Sequence, residues 1–155
     1  MPATIPSHYV YPIYTVILAL ILIALVPRKE IKELLIFGIT FGAVLDVTII
    51  AAVSKLLELG GHLNFEPFGA FGFPFFPPIA WAIWFILFFY FLPTELPWLI
   101  LYVLTAAAMA VMFSNVLLNL KVFTWNYGRV IVPFLVYAPW FFFSAWAFRR
   151  LTQNK

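Results

Sequence analysis

A single carboxylate set inside a long apolar run is the sharpest chemical feature of this chain. Asp46 lies within residues 34–59, and Gly38 and Gly42 precede it at intervals of four. An ionisable group near the midplane of a bilayer costs at least ~2.5–3.5 kcal/mol on insertion scales, so it is expected to face a bundle interior with a partner. The G-x-x-x-G spacing permits the close helix approach that would place it there. The residues expected near its depth are Tyr137, Tyr14 with Thr15, and Trp84, all hydrogen-bond donors and none a cation. Lys55, nine residues along, is half a turn out of phase and cannot pair with Asp46 on the same helix. Two chemistries fit. One is a proton, cation or substrate site at a helix crossing; the other is an interhelical hydrogen bond made by a protonated or paired carboxyl.

A second group follows the same run: Lys55, Glu58 and His62, with Glu66 beyond. Lys55 to Glu58 and Glu58 to His62 are i,i+3 and i,i+4 spacings, compatible with contact if the helix continues. Gly60-Gly61 argues that it stops near Leu59. Two carboxylates and an imidazole could serve acid–base chemistry or seed a metal site, but H-x-x-x-H and E-x-x-H patterns are absent, so no metal is expected. A cluster snorkelling at the interface is the plainer reading. Further along, Asn115 and Asn119 share a helix face; with Asn126 and Arg129 they would line an outward vestibule or act as hydrogen-bonding glue.

Composition dictates the solvent around these residues. The chain has 155 residues, 65% apolar and 10% charged, where a soluble domain carries about 25% charged residues. A chain this small cannot bury that much apolar surface in water, so lipid must solvate it. The net charge of +3 comes from basic residues flanking apolar runs rather than forming a patch, which excludes a nucleic-acid partner. The absence of Cys excludes disulfides, thiolate metal sites and cysteine catalysis, and no cofactor is implied. No Lys or Arg precedes Arg28, so the first apolar run lacks the basic start of a secretory signal and is expected to remain as a span.

Runs long enough to cross about 30 Å of hydrocarbon predict an all-α, polytopic transmembrane bundle forming one domain, with about five spans. They cover residues 9–26, 34–59, 78–92, 97–120 and 130–148. The third is short, about 22 Å at helical rise, and needs Phe75-Phe76 or local thinning of the bilayer. Arg28, Lys29, Lys32, Arg149, Arg150 and Lys155 gather on one side against Lys55, Lys121 and Arg129 on the other. The positive-inside rule then puts the N-terminus outside and the C-terminus in the cytoplasm, in a cell membrane of bacterial type. Trp125, Tyr127 and Trp140, with Tyr90 and Trp98 at the other boundary, read as interfacial belt residues. Pro133 and Pro139 are expected to kink the last span around Tyr137. Residues 60–78 interleave six Phe with Gly and Pro. This irregular link should lie along the outer interface or dip into the bundle, as the wall of an apolar pocket or as a plug.

The order of these features resembles a family of small multi-spanning membrane proteins of spore-forming bacteria. The resemblance covers residues of about 34 to 137. It rests on Gly42-Ala-Val-Leu-Asp46 in a span, a link ending in Phe75-Phe-Pro-Pro, Trp81 before a Leu92-Pro93 exit, and a late Trp125-Asn-Tyr127. It implies a compact helical membrane protein and brings no activity with it.

Three functions follow from the residues. The preferred one is a non-catalytic subunit or scaffold, packing in the bilayer as a homo-oligomer or within a larger complex. The second is a component that binds or transports a small molecule, lipid or proton, centred on Asp46. The third, a lipid-modifying enzyme, would use Glu58, His62 and Glu66. The weight falls on a non-enzymatic role.

Overall fold

The structure, a computed structural model, describes residues 5–153; Lys155, counted above among the basic tail residues, lies outside them. Five helices carry the chain: α1 (Ser7–Leu25), α2 (Arg28–Leu56), α3 (Phe76–Tyr90), α4 (Leu96–Asn119) and α5 (Ile131–Gln153). Proline places most of their boundaries. Val26, held extended before Pro27, separates α1 from α2. Pro77 and Pro78 occupy the first turn of α3, and Pro97 that of α4, where a missing N–H costs nothing.

Four of the helices are long and apolar enough to cross a membrane; α3, with 15 residues, is shorter. Their outward faces are apolar, as Ile23 on α1, Met112 on α4 and Leu135 on α5 illustrate. Water does not tolerate apolar surface on this scale, and lipid does. The chain is an all-α helical membrane protein.

The helices run between two ends that differ in construction. At one, the Phe148 ring stacks on Phe89 and meets Phe37 edge-on, and Arg149 donates to the Thr94 carbonyl (3.1 Å) in the α3–α4 turn. At the other, short strands close the bundle. β1 (Gly60–His62) pairs antiparallel with β4 (Phe123–Trp125), matching Gly60 to Trp125 and His62 to Phe123. Within the Phe-rich link, β2 (Gly69–Ala70) and β3 (Phe73–Pro74) form a tight hairpin with Phe71 fully exposed near its tip. The β1–β4 pairing was not foreseen. It exists because Gly60 has no side chain; a Cβ there would run into the Thr124 carbonyl.

The helices α2 and α3 cross closely. Gly38 and Gly42 face α3, and a Cβ at Gly42 would stand 2.5 Å from the Trp81 carbonyl oxygen. Here α2 widens into π-helical turns, at Gly38–Val44 and again at Ala52–Leu56. Such turns release carbonyls from the regular ladder. Inside the first of them, the Phe41 carbonyl accepts the Trp140 indole N–H of α5 at 2.8 Å. Rings from α3 and α5 fill the adjoining core: Trp81 against Trp140 at 4.8 Å, and Trp84 stacked on Phe141 at 4.9 Å.

Candidate functional site

Asp46 follows Gly42 by four residues and shares its face of α2, so the close crossing carries it inside the bundle. It is 3% exposed. Its carboxyl borders a cavity of about 340 Å³ enclosed by α1, α2, α3, α4, α5 and the β1–β4 pair. Tyr14, Trp84 and Tyr137, the partners expected from the sequence, line this same cavity. Among the described residues, however, none of them hydrogen-bonds Asp46.

Several other donors nearby are committed elsewhere. Trp140 gives its N–H to Phe41, Trp125 gives its own to Ser114 Oγ (3.3 Å), and Ser114 donates to the Val111 carbonyl (2.9 Å). Thr15 donates back to the Tyr11 carbonyl within its own helix (2.7 Å). Among the described residues no Lys or Arg lines the cavity. Lys55 points away and lies over the Phe73 ring at 4.3 Å. The carboxyl therefore meets a void instead of a partner, and the interhelical hydrogen bond considered as its role is not formed.

Two tryptophans assigned to the interfacial belt are cavity walls. Trp125 and Trp140 are buried, at 7% and 5% exposed, whereas Tyr127 and Trp98 stay on the surface. Trp125 is drawn in by the β1–β4 pairing and Trp140 by the free carbonyl of the π turn. The pocket wall is also not the Phe-rich link. Of residues 60–78 only His62 touches the cavity, because the link's rings pack on one another and on the start of α1, as Phe68 does with Phe76, His8 and Tyr9.

The outer candidates do not assemble. Once α2 stops at Leu56, the spacing that would have stacked Glu58 on His62 is lost. Glu58 is exposed, with φ of 51°, and its carbonyl accepts from Asn126 Nδ2 at 2.6 Å. Glu66 sits in a shallow outer pocket with Ser7, His8, Asn64 and His62, from which Glu58 is absent. The acid–base trio needed for a lipid-modifying enzyme is thus not brought together. No group of three or more His, Asp or Glu placed to hold a metal occurs among the described residues. Asn115 ties its helix to the next segment through the Arg129 carbonyl (2.8 Å) and also reaches Val111 (3.0 Å), while Asn119 and the Arg129 side chain lie exposed. Asn115 and Asn126 act as fasteners rather than as a vestibule.

His62 has a distinct position: it lines both the inner cavity and the outer pocket. Its Nδ1 is 2.6 Å from the Tyr11 hydroxyl, which donates its one proton to the Val122 carbonyl at 2.5 Å. The imidazole must then donate from Nδ1 to the Tyr11 oxygen, which leaves Nε2 as the site that gains or loses a proton. Burial pushes the His62 pKa down to about 3, so the ring is neutral at physiological pH.

Comparison with protein-family models, with curated proteins and with solved structures gives no match. The function must be argued from the cavity itself.

Proposed function

We propose that the chain is a membrane-embedded binding protein for a small, largely apolar ligand, and that the cavity bordered by Asp46 is its site. One observation carries this reading: a buried carboxyl without a protein partner opens onto an aromatic-walled void large enough for a small molecule. Isolated ionisable groups at membrane depth are expensive and mark ligand or ion sites. A scaffold, by contrast, works through its outward faces and has no use for an unpaired carboxyl inside. The basic ends support an orientation with the β1–β4 end outside and the Thr94–Arg149 end in the cytoplasm, α3 making a fifth, short crossing.

The test is a thermal-stability screen of the purified protein in lipid nanodiscs. It uses small aromatic compounds offered as neutral, cationic and anionic forms. A ligand that binds only the folded state raises the midpoint. At least one form should do so in the wild type and fail in Ala110→Phe, which fills the cavity from α4. A shift that survives in Ala110→Phe, or no shift from any form, would overturn the proposal.

A further inference from the structure

The charge and the opening of the cavity together specify its ligand more closely, given the binding reading above. Asp46 is the one acidic side chain in the lining, and among the described residues no Lys or Arg lines the cavity to pair with it. An anion finds no counter-charge there, whereas a cation is the guest that gains from ionising the carboxyl in an apolar chamber. A divalent metal would need further oxygen or nitrogen ligands, which the described residues do not gather. The surrounding walls are rich in indole and phenol rings, including Trp81, Trp84, Trp125 and Tyr137. Ring π-systems of this kind attract cations, and quaternary ammonium groups above all, because such ions carry no strongly held water.

The lining reaches the apolar flank of the bundle. Ile17 on α1 and Met109 and Phe113 on α4 all border the cavity while being 52%, 59% and 38% exposed on the apolar flank of the bundle. There Tyr14 of α1 and Phe113 of α4 meet edge-on at 5.0 Å, a contact between two side chains that a guest must part to enter. The flank faces acyl chains, so a guest entering there must itself partition into lipid. We infer that the cavity takes a lipophilic monocation, an amine or quaternary ammonium with an apolar body. It enters between α1 and α4 and places its charged head against Asp46 among the tryptophan rings.

Benzyltrimethylammonium and its uncharged carbon isostere, neopentylbenzene, differ in the charge alone. Binding of each to the nanodisc-embedded protein is read from tryptophan fluorescence. The wild type should bind the cation at least tenfold more tightly than the isostere, and Asp46→Asn should abolish that preference while still admitting the isostere. Met109→Trp, which narrows the lateral opening, should slow association of the cation without removing it. Equal binding of the two probes by the wild type, a comparison that needs no variant to fold, would overturn the cation assignment and leave the binding site standing. Full cation preference in Asp46→Asn would do the same. Unchanged association in Met109→Trp would overturn the lateral route. Failure of both probes to bind the wild type would remove the site as well as its ligand class.

Discussion

Gly42→Ala is the smallest change that tests how the site is held. The added methyl would lie 2.5 Å from the Trp81 carbonyl oxygen, 2.6 Å from its carbon and 2.7 Å from Ala82 Cα. All three are backbone atoms of α3, so no rotamer change relieves them. Restoring an ordinary contact of 3.4 Å requires α2 and α3 to part by about 0.9 Å. A gap of that size forfeits a quarter to a half of each dispersion contact across the crossing, and overpacking of this kind costs ~1–3 kcal/mol. Alanine recovers up to ~1 kcal/mol through its better helix propensity, so the net loss should be about 1–2 kcal/mol.

Two other glycines calibrate the expectation. At Gly38 the nearest atom, 2.5 Å away, is Ile86 Cγ1, which can rotate, although the Ala82 carbonyl at 2.7 Å cannot. At Gly61 the only neighbour is Ser54 Cβ at 3.2 Å, and the change should stay within ~0.5 kcal/mol of wild type. Unfolding by sodium dodecyl sulfate in mixed micelles, followed by tryptophan fluorescence, should rank the losses Gly42→Ala, then Gly38→Ala, then Gly61→Ala. Since Trp81 is both the residue struck and a cavity wall, Gly42→Ala should also weaken ligand binding. A Gly42→Ala protein as stable as wild type, or less affected than Gly61→Ala, would refute the close-crossing argument.

Two further expectations concern the strand-closed end. His62 is neutral in the fold, with its pKa held near 3 against 6.5 in the unfolded chain, so between those values the unfolded state takes up a proton that the folded state does not. Stability should therefore fall as pH is lowered from about 6.5 towards 3, by up to ~1.4 kcal/mol per unit. Midpoints measured across that range should show the slope in wild type and lose much of it in His62→Gln; Tyr11, Asp46, His8 and Glu66 are the other titratable groups around the ring. Tyr11→Phe removes the hydroxyl that joins His62 to the Val122 carbonyl; the carbonyl keeps the Leu63 N–H (2.8 Å), but His62 Nδ1 loses its partner, a loss of about 1–3 kcal/mol that the same unfolding assay would register.

What the sequence revealed and what it concealed divide along a physical line. Span boundaries were legible because proline, glycine and charge act locally: Pro27, Pro77-Pro78 and Pro97 interrupt the apolar runs wherever they fall. The carboxyl inside an apolar run stood out because its cost in lipid does not depend on the fold. Partners at the same depth could be named from helical rise alone, and Tyr14, Trp84 and Tyr137 do surround the cavity. Depth, however, says nothing about direction. Trp125 lies beyond a span end, where rings commonly face headgroups, and Trp140 lies mid-helix in α5; it is their bonds to Ser114 and Phe41 that turn them inward. The same holds for His62, which helical spacing tied to Glu58. Its actual partners are Tyr11, 51 residues away, and a strand whose sequence carries no alternating pattern long enough to announce it. The π turns of α2 left no sequence signal of their own beyond the glycines, yet they supply the carbonyl that anchors Trp140.

A cavity beside an unpaired carboxyl is a combination that packing alone would eliminate. Cavities in protein cores cost of order ~20 cal/mol for each Å² of their surface, and a buried charge without a partner adds to the cost. Ala80 and Ala110 line the void from α3 and α4, and a larger apolar side chain at either would fill it. Asparagine at position 46 would remove the charge without changing the shape. The chain takes neither remedy. Instead it surrounds the carboxyl with rings that attract cations, commits Ser114, Trp125 and Trp140 to other acceptors, and brings the cavity to the apolar flank between α1 and α4. Each arrangement raises the free energy of the empty bundle, and each lowers that of a bundle holding a lipophilic cation. The unpaired state of Asp46 is therefore best understood as one half of an ion pair whose other half arrives from the membrane.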